Sequence, residues 1–118
     1  MDELMEPAGK DIRATALCNA ALADLADQIA VPSYDRASIT PGIVHIGVGN
    51  FHRAHLAWYV HRLMQLGGAR YWGIIGAGFM EHDKVMRQTL LAQDCLTTFI
   101  ELDPDHGTAA AIIRPMID

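Results

Sequence analysis

The chain has 118 residues, 51% of them apolar and 19% charged, with a mean hydropathy of +0.13. One domain at most fits that length, since compact domains cluster at roughly 100–150 residues, and the composition excludes a disordered tail. A net charge of −5 and a pI of about 5.6 argue against a dedicated nucleic-acid binder, whose affinity rests on a basic surface.

Residues 1–13 read as a polar leader, and its acidic start, Met1-Asp2-Glu3, has the wrong sign for a secretory or transit peptide. From Thr15 onward, Leu17, Ala21, Leu25 and Ile29 recur at three-to-four spacing, with Asp24, Asp27 and Gln28 off the stripe. That spacing predicts one amphipathic helix, ended by Val31-Pro32 because proline disfavours a helical residue before it. Ala14 to Val31 is the longest apolar-looking stretch, but Asn19, Asp24 and Asp27 interrupt it. It falls short of the roughly 20 apolar residues of a membrane helix, so no membrane partner is expected. Pro32 to Pro41 is a polar connector.

The character then changes. Gly42-Ile43-Val44-His45-Ile46 is a short, nearly continuous apolar run, which suits a strand covered on both faces, as in a parallel sheet. Gly47-Val48-Gly49 breaks it. A helix is predicted from about Phe51, with Leu56, Val60 and Leu63 on one face and Gly67-Gly68 as its stop. Tyr71 to Ile75 reads as a second strand, ending in Gly76-Ala77-Gly78. A second helix is predicted from about Glu81–Asp83 to Gln93, with Val85, Thr89 and Ala92 in one row. Leu96–Leu102, the turn Asp103–Gly107 and Ala109–Met116 read as a hairpin.

Two consecutive strand–helix units point to α/β architecture. The expected fold is an incomplete Rossmann-type doubly wound sheet, with first strand–helix units plus a hairpin. Residues 1–42 form an N-terminal helical extension and connector in this reading, and residues 43–118 a partial dinucleotide-binding domain.

A phosphate approaching a strand–helix junction needs backbone with no Cβ in the way and the positive end of a helix dipole. Gly47 and Gly49 supply the first, and the helix opening near Asn50-Phe51 the second. The dinucleotide fingerprint is G-x-G-x-x-G. Here it reads Gly47-Val48-Gly49-Asn50-Phe51-His52, and a histidine in place of the third glycine implies a wider junction or a displaced helix start. A plain tight turn is the competing reading. After the second strand, Glu81 and Asp83 are the acids available to a ribose, against a capping role in the first turn of the helix. An acid facing the ribose repels a 2′-phosphate and favours NAD over NADP, although Lys84 lies next door.

Charge is uneven. Residues 41–93 hold two acids and five bases between acidic ends, which suits an anionic ligand unless Arg53, Arg62, Arg70, Lys84 and Arg87 simply solvate helix faces. His52, His55 and His61 have no cysteine or carboxylate at a familiar ligand spacing, so no metal is expected. His45 is expected to hydrogen-bond within the core. Cys18 and Cys95 form no C-x-x-C, and a reduced, cytoplasmic chain is the simplest reading.

The string Gly42-Ile43-Val44-His45-Ile46-Gly47-Val48-Gly49-Asn50-Phe51-His52-Arg53-Ala54-His55 resembles the N-terminal segment of the polyol-specific long-chain dehydrogenases. Val31–Arg36, Trp72–Gly78, Ala92-Gln93-Asp94 and the hairpin are similar to that family too. The resemblance covers about residues 30–118. It implies an NAD-dependent oxidoreductase interconverting a polyol and a ketose of the mannitol/fructose type. The implied cofactor-binding residues are Ile46, Gly47, Val48, Gly49, Asn50, Phe51, His52, Arg53 and, at the adenosine ribose, Asp83. In that family the histidine at the third-glycine position is ordinary.

The family's catalytic lysine lies in a later helical domain, in a K-x-x-x-x-N-x-x-H pattern. Neither Lys10 nor Lys84 starts such a pattern, so no catalytic residue is expected in this chain and the isolated chain is expected to be inactive. A fructuronate or tagaturonate reductase and a non-catalytic nucleotide-binding module are the alternative readings. An incomplete parallel sheet leaves an edge and an apolar face exposed, which predicts self-association or partial disorder of the isolated chain.

Overall fold

The computed structural model describes residues 15–118; the polar leader lies wholly outside them. Asn19–Ala21 form a 3-10 turn running into α1, Leu22–Leu25, and turns then carry the chain to Ala30. The long helix expected across residues 15–31 is therefore a single turn. Tertiary contacts override the local pattern: Ala30 pairs with Ala111, and the Ile112 amide donates to the Ala30 carbonyl at 2.8 Å. The apolar stripe is still used. Leu17, Leu25 and Ile29 pack, with buried Leu22, against Leu96 and Ile112 in a small second core.

Arg36–Ser38 form another 3-10 turn, capped where Asp35 Oδ1 accepts from the Ala37 amide. Strand β1, Pro41–Ile46, follows, and α2, Asn50–Ala54, opens after a bend at residues 47–49. The helix expected as one piece breaks at His55, whose backbone is non-helical (φ −121°, ψ −80°), and resumes as α3, Leu56–Gln65. Ala57, Val60, His61 and Met64 are the buried face of α3, and Leu63 is exposed rather than inside. Gly67 ends the helix with φ +96°.

Strand β2, Gly73–Ala77, starts two residues later than expected, leaving Tyr71 and Trp72 exposed. It pairs parallel with β1, Ile43 beside Ile74 and Ile46 beside Ala77. Helix α4, Glu81–Ala92, buries Leu90, with Met86 packed beside it, while Val85 of the expected row faces solvent. Strands β3, Thr97–Asp103, and β4, Gly107–Ile113, form a separate antiparallel hairpin. Past the hairpin the chain returns to the parallel sheet. Gly76 N donates to Asp118 O at 2.8 Å and Ile117 N to Ile74 O at 2.9 Å, so β2 has neighbours on both edges.

Helices α3 and α4 share one core with Ile74, Ile113, Met116, Tyr34 and Ile39, joined by Ile43 of β1. Both helices thus lie on one side of the parallel strands. The expectation that β1 is covered on both faces does not hold among the described residues: Val44 is 68% exposed and Ile46 61%.

One polar tie crosses this core. The Tyr34 hydroxyl lies 2.6 Å from His61 Nδ1 and accepts from the Arg114 amide at 3.3 Å. The hydroxyl thereby joins the imidazole of α3 to the backbone beyond β4. Burial pushes the Tyr34 hydroxyl up to about 12. Burial, helped by the Arg114 charge, pushes His61 down to about 4.

Candidate functional site

The bend at the end of β1 is held by its own backbone. Gly47 adopts φ +86°, a left-handed conformation that costs other residues about 1–2 kcal/mol. Its amide donates to Ala77 O at 2.8 Å, and its carbonyl meets His45 Nδ1 at 2.8 Å. Because that partner is a carbonyl, His45 carries a proton on Nδ1. Gly49 then caps α2 in an extended conformation. Around the Cβ positions of both Gly47 and Gly49 no atom lies within 4 Å, so the mouth of the bend is open. The amides of residues 50–52 begin a helix and have no carbonyl four residues earlier inside it. With five residues in α2, these directed amides outweigh any long-helix dipole as a source of anion affinity.

His52 is buried, 3% exposed, and packs against His45 with ring centroids 3.8 Å apart and the rings tilted by 35°. The helix start is not displaced; the imidazole is accommodated in the layer between β1 and α2. Both of its ring nitrogens lack a partner, an arrangement that costs about 1–3 kcal/mol per unsatisfied group. Burial first, then His45 and Arg53, pushes its pKa down to about 4. Phe51 is exposed, edge-on to His55 at 4.2 Å. Arg53 folds back on its own helix, donating to Asn50 Oδ1 at 2.7 Å and to Gly49 O.

The other central cations are also engaged locally. Arg62 lies over Trp58, Arg70 donates to Ser38 Oγ, Lys84 pairs with Glu81 at 3.2 Å, and Arg87 with Asp118 at 3.6 Å. Among the described residues no cluster of three or more metal-ligating side chains occurs, and no helix is long and apolar enough to cross a membrane. Cys18 and Cys95 are unpaired.

Beyond β2, Asp83 Oδ2 accepts from the Met80 amide at 2.8 Å, capping α4. The other carboxylate oxygen, Oδ1, lies 3.5 Å from His82 Nε2, and the Asp83 side chain remains 28% exposed. Asp83 and Val48 line a cleft of about 200 Å³ together with Ala77, Phe79, Arg87 and Asp118. The sequence pointed to Val48 and Asp83 but not to Phe79 or Asp118. An exposed aromatic directly after Gly76-Ala77-Gly78 was the available signal for Phe79, whereas Asp118 is brought in only by pairing with β2.

A parallel β–α–β unit with an open glycine bend at its strand end and an acid after its second strand is a Rossmann-type dinucleotide-binding arrangement. The sequence profile of the mannitol dehydrogenase Rossmann domain matches residues 41–117, and the chain belongs to the mannitol dehydrogenase family. It is 62% identical over 73 residues to a mannitol 2-dehydrogenase of Cereibacter sphaeroides, covering 62% of this chain and 15% of that protein. A mannitol 2-dehydrogenase of Pyricularia oryzae is 47% identical over 95 residues, covering 77% and 19%. Among solved structures, Pseudomonas fluorescens mannitol 2-dehydrogenase in ternary complex with NAD and D-mannitol superposes with a TM-score of 0.82. Its identity is 39%, over 86% of this chain and 21% of that one. A substrate-free D-sorbitol dehydrogenase gives 0.75 and 35% over the same shares. The chain thus spans about a fifth or less of the length of these relatives.

Proposed function

We propose that this chain is the N-terminal NAD-binding part of an oxidoreductase that interconverts a polyol and a ketose, D-mannitol and D-fructose being the preferred pair. The observation that carries this reading is the open Gly47–Gly49 bend at the end of β1, in a fold 39% identical to a mannitol 2-dehydrogenase solved with NAD and D-mannitol. The residues present fit the cofactor: no Cβ fills the bend, and a cleft with a carboxylate on its wall adjoins it.

In this reading residues 43–118 are the partial dinucleotide-binding domain, and the diphosphate lies over Ile46, Gly47, Val48, Gly49, Asn50 and Phe51. Arg53 braces the turn from α2 and His52 supports it from beneath. Asp83 accepts from the adenosine ribose through Oδ1, with the exposed His82 swung aside, and a 2′-phosphate there meets a carboxylate. Lys84, paired with Glu81, does not relieve that repulsion, which favours NAD over NADP. When bound, NAD supplies the hydride acceptor. These residues anchor and orient it, and the base that removes the hydroxyl proton belongs to sequence outside this chain. Two unpaired cysteines suit a reducing, cytoplasmic setting.

The test is the full-length protein carrying this chain, given NAD and D-mannitol with NADH followed by absorbance. NADH formation with D-mannitol is the expected result. NADH formed only with a uronate substrate would move the assignment to a fructuronate or tagaturonate reductase. No nucleotide binding at all would overturn it.

A further inference from the structure

Gly47 sits between two peptide groups, the second of which carries the Val48 amide, and it is pinned on both sides. Its N–H is held by Ala77 of the neighbouring strand and its C=O by His45 Nδ1, each at 2.8 Å. His45 in turn is backed by the buried ring of His52, 3.8 Å away. A buried imidazole with two unpartnered nitrogens is retained at this place although an apolar side chain of similar size fills space without that cost. Metal ligation does not account for it, since no third ligand joins the two rings among the described residues.

We propose that His45 and His52 are a positioning pair for the nucleotide: His52 holds the His45 ring in place, and His45 holds the Gly47 carbonyl, so that the bend presents its amides to a diphosphate. Neither ring needs to touch the ligand. The charged or titratable groups acting on His52 are His45 on β1 and Arg53 on α2, and Arg53 is turned toward Asn50 and Gly49. This inference rests on the NAD-binding reading above and assigns the histidines a role within it.

The experiment measures the Kd for NAD of the full-length protein, wild type against His45→Phe, His45→Gln and His52→Leu. His45→Phe keeps a ring against His52 but cannot donate to Gly47. Its Kd is expected to rise about tenfold, the equivalent of one lost hydrogen bond, with kcat at saturating NAD unchanged. His45→Gln, which donates through its amide, is expected to recover most of that loss. Should His45→Phe not fold, His52→Leu carries the test, with a rise in Kd of the same order. Values for His45→Phe and His52→Leu within about twofold of wild type overturn the positioning role and leave the histidines as packing. A wild-type protein that binds no NAD defeats the functional reading itself, which the two kinds of failure keep separate.

Discussion

Gly78 and Asp83 are packed so closely that a methyl group on Gly78 would lie 2.6 Å from the Asp83 carboxylate oxygen and closer still to its Cβ. The glycine after β2 thereby sets where the acid at the head of α4 can sit. Gly78→Ala is expected to push Asp83 away, break its bond to the Met80 amide and destabilise the protein by about 0.5–2 kcal/mol, as loss of a helix cap does. The same displacement lowers the preference for NAD over NADP. Thermal melts and paired Kd measurements with the two nucleotides check both parts; an unchanged NAD/NADP ratio would separate Asp83 from the ribose.

The two glycines of the bend make different predictions. Gly47 has φ +86°, so Gly47→Ala costs about 1–2 kcal/mol of stability in addition to any effect on binding. Gly49 has an ordinary φ of −88° and open space around it. Gly49→Ala is therefore expected to melt like wild type yet bind NAD on the order of tenfold more weakly, because its methyl group would enter the space that the proposed function assigns to phosphate. Equal NAD affinity for Gly49→Ala would show that the diphosphate lies elsewhere.

Acid should weaken the fold through His61. Its folded pKa of about 4 lies below its ordinary 6.5, so the unfolded chain binds the proton more readily in that interval. The stabilising contribution is complete above about pH 6.5 and drains away as pH falls toward 4, where folded His61 also protonates. Melting temperature is expected to decline across that window in wild type. His61→Gln, which can hydrogen-bond Tyr34 without titrating, should flatten part of the decline.

Removing the other end of that bond has a separate signature. Tyr34→Phe leaves a buried His61 nitrogen and the Arg114 amide without their partner. The expected loss is about 1–3 kcal/mol, read from denaturant unfolding at neutral pH. A loss under about 0.5 kcal/mol would mean that water replaces the hydroxyl.

Strand β1 pairs only with β2 among the described residues, and Val44 and Ile46 stand exposed beside its free edge. The 118-residue chain on its own is expected to associate with itself, and the double substitution Val44→Lys, Ile46→Lys to reduce that association. Sedimentation of the two proteins decides it, a monodisperse wild-type monomer being the contrary outcome.

Local signals were the readable ones. The Gly47-Val48-Gly49 bend, the β2 turn, α4 and the hairpin all rest on glycine, β-branched runs or turn residues acting within a few positions, and they stand close to where they were expected. The stripe Leu17–Ile29 misled because a helical spacing also serves an irregular segment whose apolar side chains meet Leu96 and Ile112, and because Ala30 is captured by a strand far along the chain. Periodicity placed Leu63 inside, yet the buried row of α3 runs through Ala57, Val60, His61 and Met64, because a histidine bonded to Tyr34 takes a core position that an apolar count passes over. Glycine spacing marked the mouth of the site. The His45–His52 contact behind it was hidden, since imidazoles seven residues apart meet only when strand and helix fold together.

Every bond that shapes the bend joins residues between His45 and Ala77. A ribosome that has extruded Ala77 has already exposed all of these partners, and chains fold from the N-terminus as they are made. The core behind β2 also needs Leu90, Ile113 and Met116, so the partners that shape the bend emerge before the packing that supports them.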